Sequence, residues 1–277
     1  MSTTLIIGAS GTVGTELGRL LRLRGDAVRL ATSRPPVTPA HVRIDLGTGA
    51  GLEQAFEGVG KAFFLSPPGY TNQDVILGRL IDRAARNRLE RVVLMTAMGA
   101  DASDEIPLRK AELQLLRSSV PATIIRPNWF MQNFDSYWSR GIREDGKILL
   151  PVGRARGSFI DARDIAAVAA TLLANADLSG MAFDLTGPEA LDHADVAAIL
   201  SEVTGRQIIF EDITPDAMLG RLLATGLPRD YAEFLIVILG YFKAGAAAKI
   251  TDSVERITGR LPRSFATYAA DYWSKAI

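Results

Sequence analysis

Leu5-Ile6-Ile7-Gly8-Ala9-Ser10-Gly11-Thr12-Val13-Gly14 sets three glycines at three-residue spacing between an apolar run and an amphipathic stretch. The run predicts a strand. Thr12 to Arg24 predicts a helix, because its apolar residues recur every three or four positions. A lone glycine triplet is compatible with an ordinary turn, but between a strand and a helix each glycine acquires a purpose. Gly8 permits the tight turn, Gly11 lets backbone approach a pyrophosphate without a side chain in the way, and Gly14 lets the helix lie close on the sheet. The helix amino terminus then faces the phosphates, with Ser10, Thr12 and Val13 completing the binding turn.

Outward from this turn, β-branched runs alternate with amphipathic stretches up to Pro127. Strands are predicted at Thr4–Ile7, Ala27–Ala31, Val42–Ile44, Ala62–Leu65, Val92–Met95 and Thr123–Arg126. Helices are predicted at Thr12–Arg24, Gly51–Phe56, Asp74–Arg88 and Leu108–Ser118. Strand–helix alternation of this kind is the pattern of an α/β fold, a doubly wound parallel sheet of the Rossmann type. Beyond Pro127 the pattern becomes helical, at Asp161–Ala174, Asp192–Thr204, Pro215–Ala224 and Pro228–Phe242, with short strands at Ala182–Leu185 and Gln207–Glu211. The sequence therefore divides into a nucleotide-binding core, 1–127, and a smaller mixed α/β C-terminal lobe, 128–277, expected to bind substrate. With no Pro/Gly/Ser-rich linker between them, one compact unit is expected, the lobe closing over the carboxyl ends of the strands.

The end of the second strand reads Ala31-Thr32-Ser33-Arg34 and lacks the carboxylate that would favour a ribose 2′-hydroxyl. Ser33 and Arg34 suit a 2′-phosphate, so NADPH is the expected cofactor, with NADH possible. The alternative for Arg34 is a solvated loop residue before Pro35. Asp45, after the third strand, is placed to accept from the adenine amino group.

The bulk properties narrow the class. The 277 residues are 48% hydrophobic, enough for a sizeable core. Lys plus Arg and Asp plus Glu balance at 31 each, which leaves no basic excess for nucleic acid. No cysteine is present, so thiolate chemistry is excluded. The start carries no basic, cleavable leader, and a cytoplasmic protein is expected. The apolar run Phe234–Leu239 is far short of the roughly twenty residues of a membrane span and reads as a buried helix. His41 and His193 lack companions for a metal site or triad, so no metal is expected. Asp161 and Asp164 have the spacing of helix capping rather than acid/base work.

The glycine pattern, Arg91-Val92-Val93-Leu94-Met95-Thr96 and Ile124-Ile125-Arg126-Pro127-Asn128-Trp129-Phe130-Met131-Gln132-Asn133-Phe134 together resemble the NmrA-like atypical short-chain dehydrogenase/reductase family over nearly the whole chain. Ser158-Phe159-Ile160-Asp161-Ala162-Arg163-Asp164 and Thr251-Asp252-Ser253-Val254-Glu255 resemble members that reduce quinones, dyes or the iminium intermediates of ergot-type alkaloids. Gly187-Pro188-Glu189 fits the last group. The resemblance implies that Ser66 and Pro67, after the fourth strand, and Thr96, after the fifth, flank the nicotinamide. It also implies that Lys110 stands where the lysine of a YxxxK pair holds the nicotinamide ribose. The tyrosine is missing, because residue 106 is Ile; Thr96 and Tyr137 are the hydroxyls that could approach in its place.

That departure shapes the chemistry. Ketone reduction leaves an alkoxide that needs a general acid, whereas hydride addition to an iminium yields a neutral amine directly. A quinone or conjugated cation is similarly undemanding. The expectation is an NADPH-dependent reductase of an activated, flat acceptor, with Lys110 and Thr96 as catalytic candidates. Trp129, Phe130, Asn133 and Tyr137 are the candidate substrate contacts, since flat apolar walls suit a conjugated ligand. The rival reading is a non-catalytic NADP(H) sensor acting through a protein partner. Monomer and homodimer are both open.

Overall fold

The computed structural model describes residues 2–274, which divide into two compact units. Residues 2–127, 162–184 and 256–259 form the first; 128–161, 185–255 and 260–274 belong to the second. The sequence division at Pro127 thus coincides with one crossing between the units, but the chain returns to the first unit at Ala162.

The first half of the chain runs β1 (Thr3–Ile6), α1 (Thr12–Leu23), β2 (Val28–Thr32), β3 (His41–Arg43), α2 (Leu52–Phe56), β4 (Val59–Leu65), α3 (Gln73–Arg86), β5 (Arg91–Met95), α4 (Pro107–Arg117) and β6 (Ala122–Pro127). There follow α5 (Ser139–Asp145), β7 (Lys147–Leu150), α6 (Ala162–Ala174), β8 (Ala182–Leu185), α7 (His193–Thr204), β9 (Ile209–Asp212), α8 (Pro215–Ala224), α9 (Arg229–Lys243), α10 (Ser253–Thr258) and α11 (Phe265–Trp273).

Seven strands form one sheet in the order β3-β2-β1-β4-β5-β6-β8. The register runs parallel from β3 to β6, with Leu5 opposite Arg29 on one side and Ala62 on the other. The strand order reverses between β1 and β4, the point at which open α/β sheets bind ligands beyond their carboxyl ends. Leu5, Phe64, Leu94 and Ile124 pack with α2, α3 and α4, while their neighbours Ile6, Phe63, Val93 and Ile125 are buried on the opposite face. Burial on both faces explains why these strands read as unbroken apolar runs.

Two features draw 162–184 into this unit. Helix α6 buries Ala162, Ile165, Ala166, Val168, Ala169 and Leu172 among others, apolar on nearly every side, and packs against α1. Strand β8 then extends the sheet beside β6, where Ile124 N–H donates to Met181 O at 2.9 Å.

In the second unit β7 and β9 pair in parallel, from Lys147 opposite Ile209 to Leu150 opposite Asp212. The core is aromatic: Phe134 meets Phe159 and Phe265 edge-on at 5.4 and 5.1 Å. His193 opens α7 inside this core, 1% exposed, with five rings around it at 5.2 to 6.0 Å. Neither of its ring nitrogens has a hydrogen-bond partner. The expectation that Phe234–Leu239 is buried needs correction: within that run only Leu239 is buried and Val237 is 54% exposed. An amphipathic helix, not an enclosed one, explains the run. No helix among the described residues is long and apolar enough to cross a membrane.

Candidate functional site

The glycine turn joins β1 to α1 at the reversal of strand order. Gly8 has φ +73°, the left-handed region that favours glycine, and Gly11 N–H closes the turn on Gly8 O at 2.9 Å. A Cβ on Gly14 would stand 2.2 Å from Gly8 O and 2.8 Å from Ala9 Cα. Gly14 therefore lets the helix start against its own turn, rather than letting the helix lie on the sheet as the sequence suggests. Gly18, one turn on, faces Ile6 and Leu30, with a built Cβ at 3.6 and 3.5 Å from them.

A Cβ on Gly11 would meet only Gly8 O, at 3.3 Å, and Gly11 caps α1 without a side-chain acceptor for the first-turn N–H groups. Ser10 and Thr12 beside it are exposed, while Val13 is buried and anchors the helix. An uncapped helix start behind bare, outward-facing backbone fits the pyrophosphate of a dinucleotide.

Past the end of β2, Ser33 and Arg34 are both exposed, and Arg34 N–H donates to Thr32 Oγ1 at 3.0 Å. The register sets Thr32 opposite Arg43, a second exposed cation at the end of β3 that the sequence reading passed over. The parallel pairing of two short strands was its only available signal. Asp45 is exposed, and its Oδ1 accepts from Thr48 N–H at 3.0 Å; that hydrogen bond holds its carboxyl below the usual value. One carboxylate oxygen is thus committed to its own loop.

Ser66 and Pro67 are half-buried at the end of β4. Thr96, past the end of β5, is buried, and its Oγ1 donates to Glu112 Oε1 at 2.6 Å. Lys110 lies exposed on α4, its Nζ 2.8 Å from Glu105 in a surface pair that is easily exchanged. That pair also raises the pKa of Lys110. Ile106 is the N-cap of α4 and Pro107 its first helical residue, so the position one turn before Lys110 carries an apolar side chain and no hydroxyl.

The feature that sequence reasoning missed lies behind Thr96. Glu112 is fully buried and receives Arg126 through both Nε and Nη2, at 2.9 and 2.7 Å, and Arg109 Nη1 at 3.0 Å. Arg126 also pairs with Asp101 and stands 3.9 Å from Asp184; Arg109 reaches Asp104 at 3.1 Å. Burial pushes the Glu112 carboxyl up, but the bonds from Arg126, Thr96 and Arg109 outweigh it and leave the group below its ordinary range. The signal was a lone arginine in the apolar strand Ile124-Ile125-Arg126, where a buried cation demands a partner.

The aromatic segment belongs to the second unit, and the structure separates its residues by role. Trp129 stacks on Trp138 at 6.2 Å and meets Phe242 edge-on at 5.4 Å, remaining half-buried. Phe130 and Asn133 are half-buried and joined by Asn133 N–H to Phe130 O; Tyr137 is 68% exposed. Asn128, Met131, Gln132 and Phe134 are instead buried: Asn128 Nδ2 donates to Ser158 Oγ at 2.7 Å and to Ala247 O at 2.8 Å, and Gln132 donates to Asp161. Met131 is a core residue. Glu189 accepts from Phe265 N–H at 3.0 Å, so part of the Gly-Pro-Glu segment fastens α11.

Known proteins of similar sequence and fold bear on this arrangement. The chain is 32% identical to an uncharacterized oxidoreductase, YesF, of Bacillus subtilis over 98% of this chain and 96% of that one. It is also 32% identical to an NAD(P)H azoreductase of Xenophilus azovorans, covering 96% of each. The crystal structure of a Citrobacter triphenylmethane reductase complexed with NADP(H) shares the fold, with a TM-score of 0.83 and 20% identity over 99% of this chain and 100% of that one. Residues 1–269 match the NmrA-like family, and the chain belongs to that family.

Proposed function

We propose that this protein is an NADPH-dependent reductase that delivers hydride to an activated, conjugated acceptor such as an iminium ion, a quinone or a dye. The chain is an NAD(P)H-dependent oxidoreductase of the NmrA-like family, and its near relatives include an NAD(P)H azoreductase. The observation that carries the reading is the uncapped start of α1 behind the Gly8–Gly14 turn, at the point where the strand order reverses.

When bound there, NADPH supplies the hydride. Gly8, Ser10, Gly11, Thr12, Val13 and Gly14 receive the pyrophosphate on backbone N–H groups. Ser33 and Arg34, with Arg43 across the register, take the 2′-phosphate, and the free oxygen of Asp45 is assigned to the adenine amino group. Ser66, Pro67, Thr96 and Lys110 serve the nicotinamide half, because β4 and β5 lie beyond the reversal. Trp129, Phe130, Asn133 and Tyr137 are assigned to the acceptor. Residue 106 is Ile and the Thr96 proton is engaged by Glu112, which favours acceptors whose reduction needs no proton from the protein. Catalysis then rests on proximity and orientation.

The test is the rate of NADPH oxidation with quinones, azo and triarylmethane dyes, cyclic iminium compounds and simple ketones. Turnover of the conjugated acceptors and little of the ketones is the expected result. A preference for ketones overturns the acceptor class. Tight NADPH binding with no turnover across the panel establishes the sensor reading instead.

A further inference from the structure

The hydrogen bond between Thr96 and Glu112 has a direction that chemistry fixes. A hydroxyl can ordinarily donate or accept, but an ionised carboxylate has no proton to give. Glu112 is ionised: it is fully buried, yet two guanidinium groups converge on it, Arg126 with two N–H groups and Arg109 with one. Thr96 is therefore the donor over the 2.6 Å contact, and its single proton is spent there. The surrounding charges reinforce the arrangement, since Asp101 and Asp184 lie about Arg126 and Asp104 about Arg109, keeping both cations in place. Toward any ligand, Thr96 Oγ1 can only accept.

Thr96 follows β5 directly, its N–H donating to Ile125 O at 2.9 Å, and β5 lies on the nicotinamide side of the strand-order reversal. We infer that Glu112 is a positioning residue that makes Thr96 an obligate hydrogen-bond acceptor for a donor on the nicotinamide riboside half of the cofactor. The inference rests on the cofactor reading given above. Two donor classes occur there, the carboxamide N–H and the ribose hydroxyls, and both satisfy a lone pair in the same way. The assignment also removes Thr96 from the role of proton donor.

The experiment is calorimetric binding of three probes to the intact protein and to Thr96→Val, Thr96→Ser, Glu112→Gln and the Thr96→Val/Glu112→Gln pair. The probes are NADPH, its acetylpyridine analogue, which lacks the carboxamide N–H, and an adenosine bisphosphate that lacks the nicotinamide riboside. One lost hydrogen bond predicts about tenfold weaker NADPH binding in Thr96→Val, with the adenosine bisphosphate unaffected and Thr96→Ser close to the parent protein. If the carboxamide is the donor, the parent protein prefers NADPH to the analogue and Thr96→Val does not; if a ribose hydroxyl is, both weaken together. Glu112→Gln should weaken NADPH in the same direction, and combining it with Thr96→Val should add little, because one acts through the other. NADPH binding unchanged in Thr96→Val overturns the inference, as does equal weakening of all three probes, which marks a structural role. Full additivity of the pair overturns the part assigned to Glu112. Should Glu112→Gln fail to fold, the Thr96 variants still decide. Failure of the parent protein to bind NADPH at all sinks the cofactor reading itself, a result distinct from each of these.

Discussion

Glu112 in the first unit and His193 in the second are both ionisable and both withdrawn from water, but their surroundings differ completely. Glu112 is met by three polar partners and keeps its charge; His193 is met by five rings and no hydrogen-bond partner. Burial pushes the His193 pKa down to about 4, so the ring is neutral over the physiological range. Opposing outcomes from similar burial show that depth alone does not decide ionisation. What decides it is whether hydrogen-bonded partners reach the group: those on Glu112 outweigh its burial, whereas the charge of Asp192 beside His193 favours the protonated ring but, with no hydrogen bond to the ring, is outweighed by burial.

The contrast breaks most visibly at Arg126. Arg126→Met would leave the buried Glu112 carboxylate without its bidentate partner, and a loss of about 3–5 kcal/mol in denaturant unfolding is expected. A loss well under 1 kcal/mol would mean that Arg109 and Thr96 suffice, and the two buried groups would differ less than the geometry says. At His193 the effect depends on acidity. The folded pKa lies below the ordinary 6.5, so the unfolded chain binds the proton more readily. Stability is full above that value, declines as the pH falls toward 4, and levels off below, by about 3 kcal/mol in all. Thermal unfolding across that range measures it, and His193→Phe, which suits the surrounding rings, should remove His193's share of the slope.

Smaller effects are expected where the first unit binds with backbone rather than buried charge. Gly14→Ala forces a Cβ against Gly8 O, and distortion worth about 1–3 kcal/mol should weaken NADPH binding by about tenfold or more. Calorimetry on the folded variant reads it directly. Arg34→Ala should weaken NADPH by about tenfold and leave NADH nearly unchanged. Equal weakening of both cofactors would take Arg34 out of the 2′-phosphate site and leave Arg43 as the candidate.

The same contrast explains what could be read from the sequence. Strands β1, β4, β5 and β6 announce themselves because burial on both faces makes them largely apolar runs, and the glycine turn because its backbone demands particular residues at fixed spacing. Helices α5 and α11 and strand β7 gave no comparable pattern: Lys147–Leu150 is four residues long and pairs only with a distant partner, β9. In the aromatic segment after Pro127 the sequence singles out Trp129, Phe130, Asn133 and Tyr137, but that Phe134 and Met131 are wholly buried depends on which way each side chain turns, which only the structure gives. Glu112 was invisible because a helical glutamate two residues after a lysine looks solvated, and its partner Arg126 is fourteen residues away on a strand. Contacts that join separate elements leave no local trace.

The return of α6 and β8 to the first unit also bears on how the chain folds as it is made. When Pro127 emerges from the ribosome, β6 is still a bare sheet edge and the face of α1 that α6 will cover is open to water. Neither is completed until Asp184 has followed. The nascent first unit thus waits through more than fifty further residues, about 3–11 s at ordinary elongation rates, with adhesive surface exposed. Over that interval nascent chains are most susceptible to aggregation and most in need of a chaperone, and a fragment ending at Pro127 would remain in that state.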